Sequence, residues 1–173
     1  MPMVNESIAE ITDRLQLFLN EHNTLTIATR NAQSIWAATV FYIADAEMNL
    51  YFLSSERTRH IQDIDSHNEV AVTIYQDVSD WQSIQGIQAK GHVSHVEEDD
   101  KSSILNQYTS KYIFLKELLK NPKNEQEERI AQQFKTISLF KLSPFYYRII
   151  DNSIEFGYKQ EITLAEGSWT KKS

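Results

Sequence analysis

The segment Ser54-Ser55-Glu56-Arg57-Thr58-Arg59-His60 gathers hydroxyls, two guanidiniums and an imidazole in one short stretch. It follows the apolar run Leu50 to Leu53 and opens a helix predicted over Arg57 to Ile64. A helix N-terminus carries a partial positive charge, and a guanidinium binds two oxygens of one anion, so this arrangement suits a terminal phosphate. An ordinary capped helix with exposed arginines is the commoner use of such a segment.

A second constellation lies on a long predicted strand, Ile84 to Val96. Ile87, Ala89, Gly91 and Val93 share one face, while Gln88, Lys90, His92 and Ser94 share the other. Amide, ammonium and imidazole on one face can line a polar ligand, or simply face water as one side of an antiparallel sheet does. Gly86 to Gly91 has the glycine spacing of a phosphate loop but lacks its Lys-Ser/Thr ending and sits inside a strand, so that reading is rejected. His92 and His95 fall on opposite faces and make a poor metal pair. No dinucleotide fingerprint, zinc-protease motif or nucleophile elbow occurs. No catalytic residue is assigned.

These segments need a scaffold. Ile8, Ile11, Leu15 and Phe18 recur at helical spacing behind a Ser7/Glu10 capping box, which predicts an N-terminal helix over about residues 5–22. Thr24 to Thr29 alternates as a half-buried strand. Ile35 to Ile43 is apolar on both parities and reads as a strand covered on both faces. Leu50 to Leu53 and Val70 to Tyr75 add strands, and Asp45 to Asn49 supplies a turn. A helical insertion is predicted over about 99–135. One apolar stripe runs from Ile104 to Leu119 and stops at Asn121-Pro122, with a second short helix at Glu125 to Phe134. Strands at Ile137–Leu142, Phe145–Ile150 and Ile154–Tyr158 precede a tail over about 160–173. The order argues for a closed or nearly closed antiparallel sheet decorated by helices, in a single domain over 1–173.

Composition narrows the function. The 173 residues are 41% hydrophobic and 24% charged, an ordinary globular balance, and 17 basic against 24 acidic residues give a net charge of −7. That sign disfavours nucleic acid and anionic membrane as partners. Without cysteine there are no disulfides, thiolate nucleophiles or cysteine-ligated clusters. No metal site is expected. The N-terminal residues lack a signal-peptide pattern and no apolar run approaches membrane-spanning length, so the expected location is cytoplasmic.

Taken in order, Leu25-Thr26-Ile27-Ala28-Thr29, then Trp36-Ala37-Ala38-Thr39-Val40-Phe41-Tyr42 with Asp45, then Leu50 to Ser55 leading to Thr58-Arg59-His60, then Ala71-Val72, resemble the FMN-binding split barrels related to pyridoxamine-phosphate oxidase. The match is nearest to a small, functionally uncharacterised bacterial branch that also carries Gly-Ile-Gln-x-x-Gly, here Gly86 to Gly91, and it covers about Ile8 to Tyr158. The resemblance implies a six-stranded antiparallel split β-barrel with peripheral helices, mainly β with α, usually a homodimer with FMN at the interface. It also implies a redox role on a small-molecule substrate. Thr58, Arg59 and His60 stand where the oxidase places a Ser-Arg-Lys phosphate anchor, with a histidine replacing the lysine. Trp36, Ala37, Ala38 and Thr39 match the strand beside the flavin ring, and Ser54 and Ser55 the ribityl and phosphate end. The oxidase's ring-facing glutamine aligns with Gly86, and Gln88, on the same face, substitutes for it. The oxidase's terminal Trp and Arg substrate signature is not matched by Phe156 to Lys159, which argues against pyridoxamine phosphate as substrate. A flavin carrier or sensor without turnover, and a heme-binding split barrel, are the alternatives.

Overall fold

The computed structural model describes residues 6–134 and 136–172; residues 5, 135 and 173, at the edges of the predicted elements, lie outside them. Helix α1 (Ile8–Glu21) starts at the predicted capping box: the Glu10 N–H donates to Ser7 Oγ at 3.3 Å, and the Ser7 N–H donates to the Glu10 carboxylate at 2.7 Å. Strands β1 (Thr24–Arg30), β2 (Ile35–Ala44) and β3 (Leu50–Ser54) follow, then α2 (Arg59–Ser66), β4 (Glu69–Tyr75) and β5 (Gln85–His95). The insertion carries α3 (Glu98–Lys111), α4 (Ile113–Lys120) and α5 (Glu125–Phe134). Strands β6 (Ser138–Asp151), β7 (Lys159–Ala165) and β8 (Ser168–Lys171) complete the chain.

The strands run in the order β3-β2-β1-β4-β5-β6-β7-β8, and β3 also pairs with β6. Six strands therefore close into an antiparallel barrel, with β7 and β8 continuing the sheet beyond the seam. This is the predicted split barrel. Closure depends on β6, which pairs with β5 from Phe140 to Asp151 while its other edge is divided. Ser138 to Leu142 bond β3, and Tyr146 to Ile150 bond β7. Between them, Lys90 faces Tyr146 but Gly91 faces Pro144, leaving Phe145 as the extra residue of a bulge. The inward parity of β6 shifts there, from Phe140 and Leu142 to Tyr147 and Ile149. The predicted break between Leu142 and Phe145 is this bulge within one strand.

The interior holds Ile27, Val72, Ile87, Phe52, Phe140 and Tyr147, with Phe52 and Phe140 stacked across the β3–β6 seam at 5.4 Å. Helix α1 adds Ile11, Leu15, Phe18 and Leu19, and its Leu19 carbonyl accepts a 2.8 Å bond from the Tyr42 hydroxyl. Helix α2 adds Ile61 and Ile64 from the β1–β2 hairpin end. A second apolar cluster forms outside the barrel, where α3 and α4 lay Ile104, Tyr108, Tyr112 and Leu115 over Ile43, Tyr51 and Leu139.

Four expectations are corrected. Strand β2 is not covered on both faces: the insertion shields only its second half, and Ile35 stays 80% exposed. The stripe over Ile104–Leu119 is two helices, broken at Tyr112, which is the C-cap of α3 and the N-cap of α4. Ile154–Tyr158 is a turn, organised by the Gly157 N–H bonding Asn152 Oδ1 at 3.0 Å with Gly157 at φ +77°. The tail at 160–173 carries the hairpin β7–β8, whose Glu166-Gly167 turn has φ of 50° and 77°, as a tight two-residue hairpin requires. In addition, α2 begins two residues later than predicted, at Arg59.

The bulge generates a prediction. A Cβ on Gly91 would sit 2.6 Å from the Ser143 carbonyl oxygen and 2.8 Å from Pro144 Cα, both backbone atoms that cannot step aside. Gly91→Ala is expected to lower unfolding free energy by about 1–3 kcal/mol, as overpacking does. Urea denaturation reads this, and an unchanged midpoint would show that the β5–β6 approach is slack.

Candidate functional site

The site is built outward from Asp63, a carboxylate on α2 that is 2% exposed. A buried charge must be paired and hydrogen-bonded. Thr29 Oγ1 donates to it at 3.0 Å and Asn31 Nδ2 at 2.7 Å, fastening α2 to the β1–β2 hairpin. The Asn31 side-chain oxygen in turn accepts from the Gln33 and Ser34 N–H groups at 2.9 and 3.0 Å, which shapes that hairpin. Ser34 Oγ then accepts a 2.7 Å bond from Arg59 Nη2, and Arg59 Nε lies 4.0 Å from Asp63. The ring of contacts returns to its start. The Arg59 guanidinium lies 4.4 Å over the Trp36 ring, so its orientation is fixed on a second side. Its side chain is nonetheless 45% exposed, with donors to spare for an anion at the first turn of α2.

Of the other predicted anchor residues, Ser54 and His60 are turned inward, while Ser55 and Thr58 are half-buried and the Ser55 hydroxyl accepts from the Arg57 N–H at 3.3 Å. Ser54 and His60 are buried, and Ser54 Oγ lies 2.7 Å from His60 Nε2 and 3.1 Å from Thr58 Oγ1. Thr58 Oγ1 donates to the Ser55 carbonyl at 2.8 Å. Burial holds the His60 imidazole below its ordinary pKa, partly offset by Asp63, so it is neutral at pH 7. Of the set Ser54, Ser55, Thr58, Arg59 and His60, the structure brings one charged side chain to the surface, Arg59. Ser34, which completes its setting, was not singled out from sequence, because only the hairpin register carries it to α2.

The open outer face forms a second region. Strand registers align Thr39, Thr26, Thr73, Gln88, Arg148 and Glu161 in one row across six strands. The next row begins Ala37, Ala28, Ala71, a shallow floor, and continues to Lys90 and Tyr146. A groove of about 620 Å³ lies over these rows. Arg148 is held by Glu161 at 2.8 and 2.9 Å and reaches Gln88 Oε1 at 3.3 Å. Lys90 and Lys172 stand 5.9 and 5.2 Å from the Tyr146 ring. Three cations against one carboxylate make the groove positive in a chain of net charge −7.

The predicted ring-facing residues are thus divided. Trp36 stands with Arg59, Ala37, Ala38 and Thr39 run along β2, and Gln88 is in the groove. Thr39 and Gln88 share a row but are three strand spacings apart, about 14 Å. Of the five histidines, none lines this groove. Among the described residues, no group of three or more His, Asp or Glu gathers as a metal site, and no helix is long and apolar enough to cross a membrane.

Comparison with known proteins decides the family. A model described as pyridoxamine 5′-phosphate oxidase matches residues 11–140, three quarters of the chain. The chain belongs to the pyridoxamine 5′-phosphate oxidase family. Among its relatives are UPF0306 proteins of Enterobacter sp. (strain 638), 24% identical over 86% of this chain and 94% of that one, and of Yersinia enterocolitica, 24% identical over 82% and 86%. Among solved structures, Campylobacter jejuni ChuZ superposes with a TM-score of 0.71 at 15% identity, over 98% of this chain and 65% of that one. HutZ, the heme storage protein of Vibrio cholerae, superposes at 0.57 with 19% identity, over 76% and 88%. A putative pyridoxamine 5′-phosphate oxidase of Listeria innocua superposes at 0.60 with 15% identity, over 82% and 98%. At such identities the structural likenesses speak for the fold. The split barrel is common to all three, and the family does not choose between their ligands.

His60 supplies the second prediction. Its folded-state pKa lies below the ordinary 6.5, so on acidification the unfolded chain takes up this proton first. Stability is fully present above about pH 6.5 and is lost as pH falls toward the folded value. Melting curves between about pH 7 and 5 are expected to fall less steeply for His60→Gln than for the parent. Identical slopes would show that His60 is not linked to unfolding.

Proposed function

We propose that this protein binds FMN through Arg59 and acts, as a homodimer, in the oxidation or reduction of a small molecule. The observation that carries the reading is the Arg59 guanidinium, locked by Ser34, Asp63 and Trp36 yet exposed beside a helix N-terminus. Such a group has lost its rotamer freedom before any ligand arrives, and a dianionic phosphate is the ligand its geometry favours. The donor set fits the cofactor: a cation for the phosphate, the open backbone of Trp36 to Thr39 for the ring, and Gln88 with Arg148 for carbonyl and imide edges. Bound FMN would supply hydride chemistry, with the protein supplying position and electrostatics.

The homodimer follows from the same face. Ile35 and Tyr75 are exposed on the outer side of the barrel, and Gln88 stands too far from Thr39 to meet the same ring edge within one chain. A second copy on this face supplies the missing wall. The heme reading draws on the Vibrio cholerae neighbour; the placement of the histidines favours flavin. His60 is buried against Ser54, His22 Nδ1 is bonded to the Phe18 carbonyl, and His67 meets Arg30. His92, against Phe145, and His95, beside Glu56, are exposed but lie outside the groove, so an axial ligand would have to come from one of these two.

Titration with FMN and with riboflavin separates the phosphate contribution from that of the ring. The parent is expected to prefer FMN, and Arg59→Ala to weaken FMN at least about tenfold while leaving riboflavin unchanged, since a charge-assisted pair is worth about 1.5–3 kcal/mol. Equal losses for both, or none, would overturn the anchor. Reduction of the bound flavin by NADH or NADPH with reoxidation in air distinguishes an oxidoreductase from a carrier. A Soret band after heme addition, with no FMN binding, would favour the heme reading.

A further inference from the structure

A second cleft, of about 340 Å³, opens where the helical insertion meets β2. Its walls are Thr39, Phe41 and Leu53 from the barrel and Tyr108, Tyr112 and Phe114 from the helices, closed below by Leu115 and Phe134. No lining side chain is charged, although about a quarter of the chain is.

The polar atoms of the cleft are already used. The Tyr108 hydroxyl donates to the Phe41 carbonyl at 3.1 Å, and that of Tyr112 lies 2.5 Å from the Tyr42 carbonyl and 2.9 Å from that of Asn23. Burial pushes the Tyr112 phenol up to about 12 and raises that of Tyr108 as well, so both stay neutral. Lys111, the adjacent cation on α3, does not line the cleft: its ammonium donates to the His22 carbonyl at 2.6 Å and sits 4.8 Å from the Tyr42 ring and 5.7 Å from that of Tyr112. The more exposed lining side chains are Thr39, with a long 3.4 Å contact to Thr26, and the rings of Phe41 and Phe114, with Tyr112 buried behind them. Phe41 meets Tyr112 edge-on at 5.2 Å, and Phe114 stands 6.2 Å from each. Phe41 and Phe114 are 47% and 58% exposed.

We propose that this cleft binds an uncharged, flat aromatic molecule of about two fused rings. An anion placed there would lose its hydration with no cation to replace it. A flat ring is favoured over an acyl chain because the mouth is framed by ring edges and faces, which pair best with another ring. The volume lies at the small end of ligand pockets and is ample for a bicyclic molecule. Thr39 belongs both to this cleft and to the strand assigned to the flavin, and on the flavin reading the bound molecule would be its reactant. That last step rests on the flavin reading, whereas the binding itself does not.

The test uses three probes of similar size: 2-naphthol, its anionic counterpart 2-naphthoate, and the flexible 1-decanol, each titrated calorimetrically into the whole protein. 2-Naphthol is expected to bind at least about tenfold more tightly than 2-naphthoate, which must shed its charge or its water. It is also expected to bind more tightly than decanol. Phe114→Asp places a carboxylate at the exposed rim and is expected to weaken 2-naphthol at least about tenfold, whereas Phe114→Leu, which removes one ring but adds no charge, is expected to weaken it less and to narrow its preference over decanol. Melting curves confirm that both variants fold. Equal affinity for naphthol and naphthoate, tighter binding of decanol, or indifference to Phe114→Asp would overturn the proposal. FMN titration of the same samples keeps the two readings apart. FMN binding without naphthol binding refutes the cleft alone, and naphthol binding without FMN refutes the flavin reading alone.

Discussion

Closure of the barrel places two demands on β6, and Gly91 and Pro144 reconcile them. The strand must bond β3 to seal the barrel and then leave that seam to bond β7, and β5 must follow it throughout. A regular strand cannot do this while keeping its apolar residues inward, because the bend needs an extra residue and the extra residue inverts the parity. The chain inverts the sequence pattern at the same point. Pro144, with no N–H to leave unpaired, occupies the crossover, and Gly91 lets the bent backbone approach without a Cβ between. The geometry of the outer groove follows. Phe145, Tyr146 and Arg148 line it, just where β6 has changed partners. One bulge thus serves barrel closure and sets the face on which Tyr146 and Arg148 meet the groove.

The opposite end of the sheet is governed by a polar constraint. Removing either partner of a buried charge leaves the other uncompensated, at a cost well above that of an exposed ion pair. Asp63 is in that position, and its hydrogen bonds to Thr29 and Asn31 give α2 one seating on the hairpin. Arg59 benefits indirectly. Its pairing with Asp63 is long and half-exposed, worth little by itself. It holds an orientation because Ser34 and Trp36 are placed by the hairpin that Asp63 has already fixed. The anchor is rigid through its neighbours, and its own charge stays available.

Local pattern made much of this readable from sequence. The strict alternation of β5 gave both its length and the side on which Gln88 and Lys90 fall, and the capping box marked the start of α1. Patterns that depend on tertiary context were misread. Strand β2 is apolar on both parities for two reasons, an interior on one face and on the other an insertion above Ile43, so nothing local distinguishes Ile35, which is open. The split at Tyr112 arises because its hydroxyl is drawn to backbone carbonyls of Tyr42 and Asn23 across the chain, a contact invisible to helical periodicity. Arg59 stood out by its position after a strand. Ser34 and Arg148 did not, since each reaches its site through pairing register, and register is not a property of the segment that carries it.

The insertion gives the molecule its individuality. A split barrel by itself offers one open sheet face, and family membership leaves its ligand undecided. Here α3 and α4 cover the second half of β2 and stop at Phe41, so Thr39 lies on a boundary between two environments. On one side is a floor of alanines and threonines leading to Arg148, Lys90 and Lys172. On the other is a cleft whose phenol hydroxyls already donate hydrogen bonds to backbone carbonyls. The first region suits a ligand that carries negative charge, while the second offers no cation and suits an uncharged one. Selectivity of this kind needs no catalytic residue to discriminate, because desolvation has already sorted the ligands. On the proposed reading, a cofactor with an anionic tail and a neutral aromatic reactant would occupy adjoining sites, the tail held by charge and the reactant by the uncharged cleft.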